Sequence, residues 1–198
     1  MGAVLIGLVV LAWFDRAVVT PQRGSANRSA EQTTAQDLAR YHGKAFDVAR
    51  VVDGDTLDIA APDGASTTTR VRLLGIDAPE THAPDDRPAH FAMEAAAFAR
   101  GQLSGRRVNL YLEEDGRTRG HYGRLLAYVA LPDGTVLNEV LIAEGYAYAD
   151  LRFRHGFYHK YRQLEGSARA LGKGLWAEAT REDLPAWLQR MRPALLAD

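Results

Sequence analysis

The sequence predicts an α+β domain built on a small closed β-barrel of about five short strands, with helices inserted and appended at its ends. Three observations carry that prediction. Short runs rich in β-branched and alternating residues crowd into the chain before residue 131. Turn signals of the Asp-Gly and Pro-Asp-Gly type separate them. Helical periods occur singly rather than after every strand, which disfavours a doubly wound parallel sheet.

The elements follow in order. Residues 46–59 (FDVARVVDGDTLDI) alternate apolar and polar positions and break at Asp53-Gly54, predicting two short strands around a turn. Pro62-Asp63-Gly64 supplies the next turn. Residues 67–76 (TTTRVRLLGI) return as a strand with Arg70 and Arg72 on one face, an arrangement that invites an anion. The stretch 78–89 carries three prolines and two adjacent aspartates and predicts a loop. Residues 90–103 (HFAMEAAAFARGQL) have a helical period with Phe91, Ala95, Phe98 and Leu103 towards a core, and Gly105 ends it. Residues 107–112 and 123–131 are strand-like. After Pro132-Asp133-Gly134, residues 137–144 predict a short helix stopped by Gly145, and residues 158–171 a last helix closed by Gly172 and Gly174.

The ends differ from the middle. Residues 3–14 (AVLIGLVVLAWF) are uncharged and mostly apolar, too few for the roughly 20 residues of a membrane span but enough for a signal-like segment. No Lys or Arg precedes the run and no clear small-residue cleavage site follows it. Residues 1–19 are therefore expected to act as an N-terminal anchor or signal-like segment, placing the protein at a membrane or outside the cytoplasm. Arg16, Arg23 and Arg28 pull against translocation. The alternative is an N-terminal helix packed on the domain. Residues 20–45 are polar, rich in Ser, Thr, Gln and Ala, and predict a linker. Residues 179–198 carry Trp187, Leu188, Met191 and Leu195 at roughly helical spacing and predict a short amphipathic tail. The domain proper is expected at 46–178.

Composition removes several functions. The 198 residues contain 24 Lys+Arg against 25 Asp+Glu and no cysteine. A disulfide framework, a zinc ribbon, an iron–sulfur cluster and a thiolate nucleophile are excluded. A net charge of −1 also excludes nucleic-acid binding by bulk electrostatics, so any such contact needs a local patch. The strongest basic stretch is 150–173, where Arg152, Arg154, Lys160, Arg162, Arg169 and Lys173 outnumber two acids amid Phe153, Phe157, Tyr158 and Tyr161. A solvated helix face accounts for it equally well. His155 and His159 stand four apart, a metal-ligand spacing, but no third ligand accompanies them.

Three clusters carry candidate chemistry: VVDGDT at 51–56, RLLGIDAPE at 72–80 and YGRLLAYV at 122–129. The middle one is the most demanding. It sets Arg72, Asp77 and Glu80 around a strand end between Gly75 and Pro79, one fixed cation with two acids where sites are often built.

Together these segments resemble the staphylococcal nuclease (thermonuclease) family, with further agreement in Glu94-Ala95, in DGTVLNEVLIAEGYA at 133–147 and in Gly174-Leu175-Trp176. The resemblance implies an OB-like five-stranded barrel with three packed helices and a calcium-dependent phosphodiesterase. It assigns Asp55 and Asp77 as carboxylate ligands of Ca2+, with the backbone carbonyl of Ala78 as a third oxygen, a small set that leaves room for water and phosphate. Glu80 would be the general base, Arg72 and Arg124 would grip the phosphate, and Tyr122 would stack on a base or bond a phosphate. The family often carries Asp where this chain has Gly120, which puts ion affinity or loop rigidity in question. The implied substrate is single-stranded or loosened DNA and RNA, cut with little sequence preference to leave 3′-phosphate ends, by a protein expected to be monomeric. The competing readings are a non-catalytic OB-type nucleic-acid-binding module and a membrane-associated scaffold. The joint presence of Asp55, Arg72, Asp77, Glu80 and Arg124 favours catalysis.

Overall fold

The computed structural model describes residues 33–82 and 87–196. Five strands close into a barrel: β1 (Lys44–Val51), β2 (Thr56–Ile59), β3 (Thr69–Leu73), β5 (Arg107–Tyr111) and β6 (Leu125–Ala130), in the order β1-β2-β3-β6-β5. All pairings are antiparallel except β3 with β6, which run parallel. The period-2 alternation explains the closure. Val71, Leu73, Val108, Leu110, Leu125, Ala127 and Val129 point inward and are buried, while Arg70 and Arg72 lie on the outer face of β3, as their spacing predicts.

One predicted strand divides. Residues 67–76 do not run through: the chain turns at Leu74-Gly75 and resumes as β4 (Ile76–Asp77), which pairs with β7 (Tyr148–Ala149) in a separate two-stranded sheet. Gly75 has a φ of +79°, and a Cβ there would lie 2.4 Å from the His155 ring, so the corner needs glycine twice over.

The helices α2 (Ala92–Leu103), α3 (Leu137–Ala143) and α4 (Tyr158–Ala170) occur where their periods place them. The buried face of α2 is nevertheless made of alanines, Ala92, Ala95, Ala96 and Ala99, with Leu103. Phe91 and Phe98 sit beside it against Tyr146, Phe98 stacking on that ring at 4.0 Å. Small side chains let α2 approach the barrel closely; the phenylalanines are too large for that face. Asn138 ties α3 to the barrel, accepting from the Val129 N–H and donating to the Leu74 carbonyl, both at 2.9 Å.

The linker expected at 20–45 is overturned in its second half. Residues 33–41 form a helix, α1, and β1 begins at Lys44. The apolar period of α1 is weak because only Leu38 and Tyr41 pack. A buried ionic contact supplies the rest: Asp37 accepts from Thr118 Oγ1 at 2.7 Å and from Arg119 Nε and Nη2 at 2.8 and 2.7 Å. Tyr41 is fully buried, its hydroxyl 3.0 Å from Thr69 Oγ1.

At the other end a short 3-10 turn (Gly174–Ala177) leads to α5 (Ala186–Met191), which buries Trp187 and Leu188 against the domain while Met191 stays exposed. The apolar run at 3–14 lies outside the described residues. Among those described, no helix is long and apolar enough to cross a membrane.

Candidate active site

The site is assembled where three non-local segments meet at the barrel rim. The first is the turn between β1 and β2. Val52 and Asp53 N–H groups both bond the Thr56 carbonyl, at 2.9 and 3.3 Å, and the Asp53 carboxylate accepts from the Asp55 N–H at 3.1 Å, so Asp53 shapes the turn that presents Asp55. Gly54 is required by space: a Cβ there would stand 2.7 Å from Ala78 Cβ and 3.2 Å from Ala95 Cβ.

Asp55 is only 4% exposed. One carboxylate oxygen accepts the Ala78 N–H at 2.6 Å and forms an ion pair with Arg72 Nη1; the other accepts from Thr56 Oγ1 at 3.0 Å. The Arg72 Nη1 contact is Coulombic rather than an aligned hydrogen bond. Burial pushes the Asp55 carboxyl up to about 8, helped by Asp53 and Asp77 and opposed by Arg72 and the Ala78 N–H.

The second segment is β3 through Glu80. Arg72 spans the two predicted cation ligands, its Nη2 donating to Asp77 Oδ1 at 2.6 Å. The acidic partners raise the Arg72 pKa against its own desolvation. Glu80 is exposed, with its carboxyl raised by partial desolvation and by Asp53 and Asp77, against the pull of Arg72 and Arg124.

The third segment is the turn before β6. Gly120 N–H bonds the Arg124 carbonyl at 2.9 Å and Gly123 N–H the Gly120 carbonyl at 3.0 Å. Arg119 holds this turn from behind, reaching the Gly123 carbonyl at 3.1 Å while ion-paired to Asp37 and Asp63. This clamp braces the turn that contains Gly120. Arg124 lies 5.8 Å from the Tyr122 ring centre, and Tyr122 is 81% exposed, so it is no core tyrosine. Beside them a groove of about 270 Å³, lined by Arg70, Thr68, Ser66 and Asp63, runs along the β2–β3 hairpin.

Sequence reasoning missed two residues that touch this constellation. Arg152 Nη2 lies 3.0 Å from Asp77 Oδ1, and Trp187 Nε1 donates to Asp77 Oδ2 at 2.7 Å, across 110 positions of chain. No local period signals such a contact. Half of the six cations in the stretch 150–173 are paired: Arg152 with Asp150 and Asp77, Lys160 with Glu139, and Lys173 with Glu144. His155 precedes α4, sits against Tyr128 Oη through Nδ1 at 3.0 Å and shares no helix face with exposed His159.

Among the described residues, no three His, Cys, Asp or Glu side chains form an enclosing metal cluster. The donor set at the rim suits a different site: hard oxygens only, from Asp55, Asp77 and the Ala78 backbone, with mutually repelling carboxylates that a cation would relieve. Such a set fits an open site for a hard divalent cation, completed by water, rather than a closed one.

A closed mixed barrel with carboxylates and guanidinium groups gathered at one rim suits phosphodiester hydrolysis of the nuclease kind. Comparison with known proteins agrees. Residues 70–178 match the family described as staphylococcal nuclease homologue. The chain is 33% identical over 141 residues to a thermonuclease of Staphylococcus hyicus, covering 71% of this chain and 80% of that protein. It is 36% identical over 148 residues to a thermonuclease of Staphylococcus intermedius, covering 73% and 77%. An uncharacterized endonuclease of Escherichia coli is 29% identical over 161 residues, covering 78% and 88%. The chain belongs to the staphylococcal nuclease family.

Proposed function

We propose that this protein is a calcium-dependent nuclease that hydrolyses single-stranded or loosened DNA and RNA with low sequence specificity. The observation that carries the reading is the meeting of Asp55 and Asp77 on the single guanidinium of Arg72. Glu80 and Arg124 lie within electrostatic reach of that centre. In this reading Asp55, Asp77 and the Ala78 carbonyl hold Ca2+, which when bound neutralises phosphate charge and acidifies a neighbouring water.

The remaining work falls to side chains. Glu80, raised towards neutrality, takes the proton of the attacking water. Arg124 and Arg72 hold the non-bridging oxygens, Arg72 once the cation takes over its carboxylate partners, and their benefit grows as charge accumulates on phosphorus. The 5′-oxygen leaves, giving 3′-phosphate ends. Tyr122, standing free beside Arg124, offers a stacking platform that any base can use, which favours low sequence preference. The protein acts as a monomer, and the apolar run at 3–14 tethers it to a membrane or directs its export; recovery of all of it from the cytosolic fraction would overturn that placement.

The test is digestion of single-stranded DNA by the full chain, with calcium and with chelator, beside Glu80→Ala and Arg72→Ala. Loss of one phosphate-gripping donor is expected to cost about 2.7 to 4 kcal/mol of barrier, roughly 100- to 1,000-fold in rate. Equal cutting in chelator overturns the calcium assignment. Full rates in both variants overturn the residue roles.

A further inference from the structure

The C-terminal segment reaches the site from outside the family-matched region, which ends at residue 178. It is fixed at two places. Arg192 pairs with the buried carboxylate of Glu165 on α4, and Leu184, Leu188 and Leu195 are buried in the core. Between these contacts, α5 presents the indole of Trp187 to Asp77 Oδ2. Arg152 approaches the other oxygen, its guanidinium 4.6 Å from the Trp187 ring centre and held in turn by Asp150 through Nε and Nη2 at 2.8 and 2.9 Å.

These contacts have a geometric consequence. A carboxylate oxygen has two lone pairs. Asp77 Oδ1 accepts from Arg72 Nη2 and is ion-paired with Arg152 Nη2 at 3.0 Å, and Oδ2 accepts from the indole N–H. Hydrogen bonds on both oxygens fix the rotation of the carboxyl plane, and Oδ2 keeps a second lone pair beyond the one the indole takes. The indole is the cleaner of the two holders because it orients without adding charge, whereas Arg152 also brings a positive charge near any cation.

We propose that Trp187, steadied by Arg152, is a positioning residue for the divalent-cation site: it orients the Asp77 carboxylate so that its free oxygen lone pair is presented to calcium. This rests on the assignment of Asp77 as a calcium ligand. Partners that orient a ligand typically change metal affinity by about 10- to 100-fold when removed.

The test compares the full chain with Trp187→Phe, which keeps an aromatic ring beside Arg152 and removes the N–H together with one ring of the indole. Calcium affinity is measured by titration calorimetry, thermal unfolding is followed in parallel to separate the packing loss, and the rate on single-stranded DNA is read across calcium concentrations. The expected result is a roughly 10- to 100-fold weaker calcium affinity, the same shift in the calcium concentration giving half-maximal rate, and a rate at saturating calcium within a few-fold of the parent. A purely structural tryptophan would lower the unfolding temperature and leave calcium affinity unmoved.

A second measurement needs no tolerated substitution. In the 15N spectrum of the parent protein, the Trp187 indole N–H signal is expected to shift during calcium titration with the calorimetric midpoint. The signal of Trp176, whose buried Nε1 has no hydrogen-bond partner among the described residues, moves less. Calcium binding with an unmoved Trp187 signal and an unchanged affinity in Trp187→Phe overturns the positioning role alone. No calcium binding by the parent overturns the calcium assignment and this proposal with it.

Discussion

Replacing Asp37 with alanine tests whether the helix before the barrel belongs to the folded unit. Its carboxylate is nearly out of solvent and takes three donors: Thr118 Oγ1 and two nitrogens of Arg119. The substitution leaves the buried Thr118 hydroxyl without that acceptor, at about 1 to 3 kcal/mol, and removes two charge-assisted bonds worth roughly 1.5 to 3 kcal/mol each before non-additivity. Arg119 is 22% exposed and keeps Asp63, so the total falls at the lower end of the about 3 to 5 kcal/mol found for breaking a buried pair. We expect about 3 kcal/mol, or roughly 6 to 12 °C in unfolding temperature for a domain of this size. Urea unfolding gives the free energy. Because Arg119 also holds the Gly123 carbonyl, KM for single-stranded DNA should rise while calcium affinity stays constant. A loss below about 0.5 kcal/mol, the usual scatter for surface changes, would refute the integration of α1 into the domain.

Three further outcomes follow from the same contacts. Gly54→Ala forces a Cβ to 2.7 Å from that of Ala78, with neither backbone free to give, and should cost about 1 to 3 kcal/mol in urea unfolding; activity should fall further, since Asp55 is the next residue. Asp58 is held below the usual carboxylate range, first by the hydrogen bond from Arg70 and also by that from Arg50, so its stabilisation is present above the unfolded pKa near 3.8 and lost as pH falls through the lower folded value. With both arginines substantially exposed, Asp58→Asn should cost on the order of 1 kcal/mol at pH 6, and the cost should shrink as pH falls below 3.8; a pH-independent difference would remove the ionic account. With Arg72 and Arg124 as the phosphate-holding cations, log affinity for single-stranded DNA against log salt should have a slope of about −1.5 to −2, from two or three neutralised phosphates. A slope beyond about −4 would mean a larger basic surface is engaged.

The barrel was legible because its information is local. Alternation in 46–59 and 67–73, the Asp-Gly and Pro-Asp-Gly turns, and the glycines after each helix correspond to β1, β2, β3 and the helix ends. What escaped is what local pattern cannot encode. In α1, polar residues dominate because Asp37 answers an arginine 82 positions away, so hydrophobic period fails there by construction. In α2 the expected core residues Ala95 and Leu103 are buried, and Phe91 and Phe98 pack at the edge of the core. The further alanines of the buried face, Ala92, Ala96 and Ala99, carry too little hydrophobic signal to be read in advance. At the site, Asp55, Arg72 and Asp77 were readable from motifs; Arg152 and Trp187 were read as patch and tail because nothing near them in sequence points to Asp77.

The charge pattern joins these cases. A chain of net charge −1 that handles a polyanion cannot rely on a general field, and the structure indicates where its cations go. Arg50 and Arg70 are paired to Asp58, Arg119 to Asp37 and Asp63, Lys160 to Glu139, and Lys173 to Glu144. Pairing engages these cations with carboxylates, while Arg124 stands at the rim beside exposed Tyr122 as a contact for phosphate. Arg72 is the exception that connects both roles. Inside the rim it is the counter-ion of Asp55 and Asp77; a cation taking over those carboxylates would release its donors towards phosphate. Cation and substrate would then favour one another through a single guanidinium, and the oriented Asp77 would decide how readily that exchange occurs.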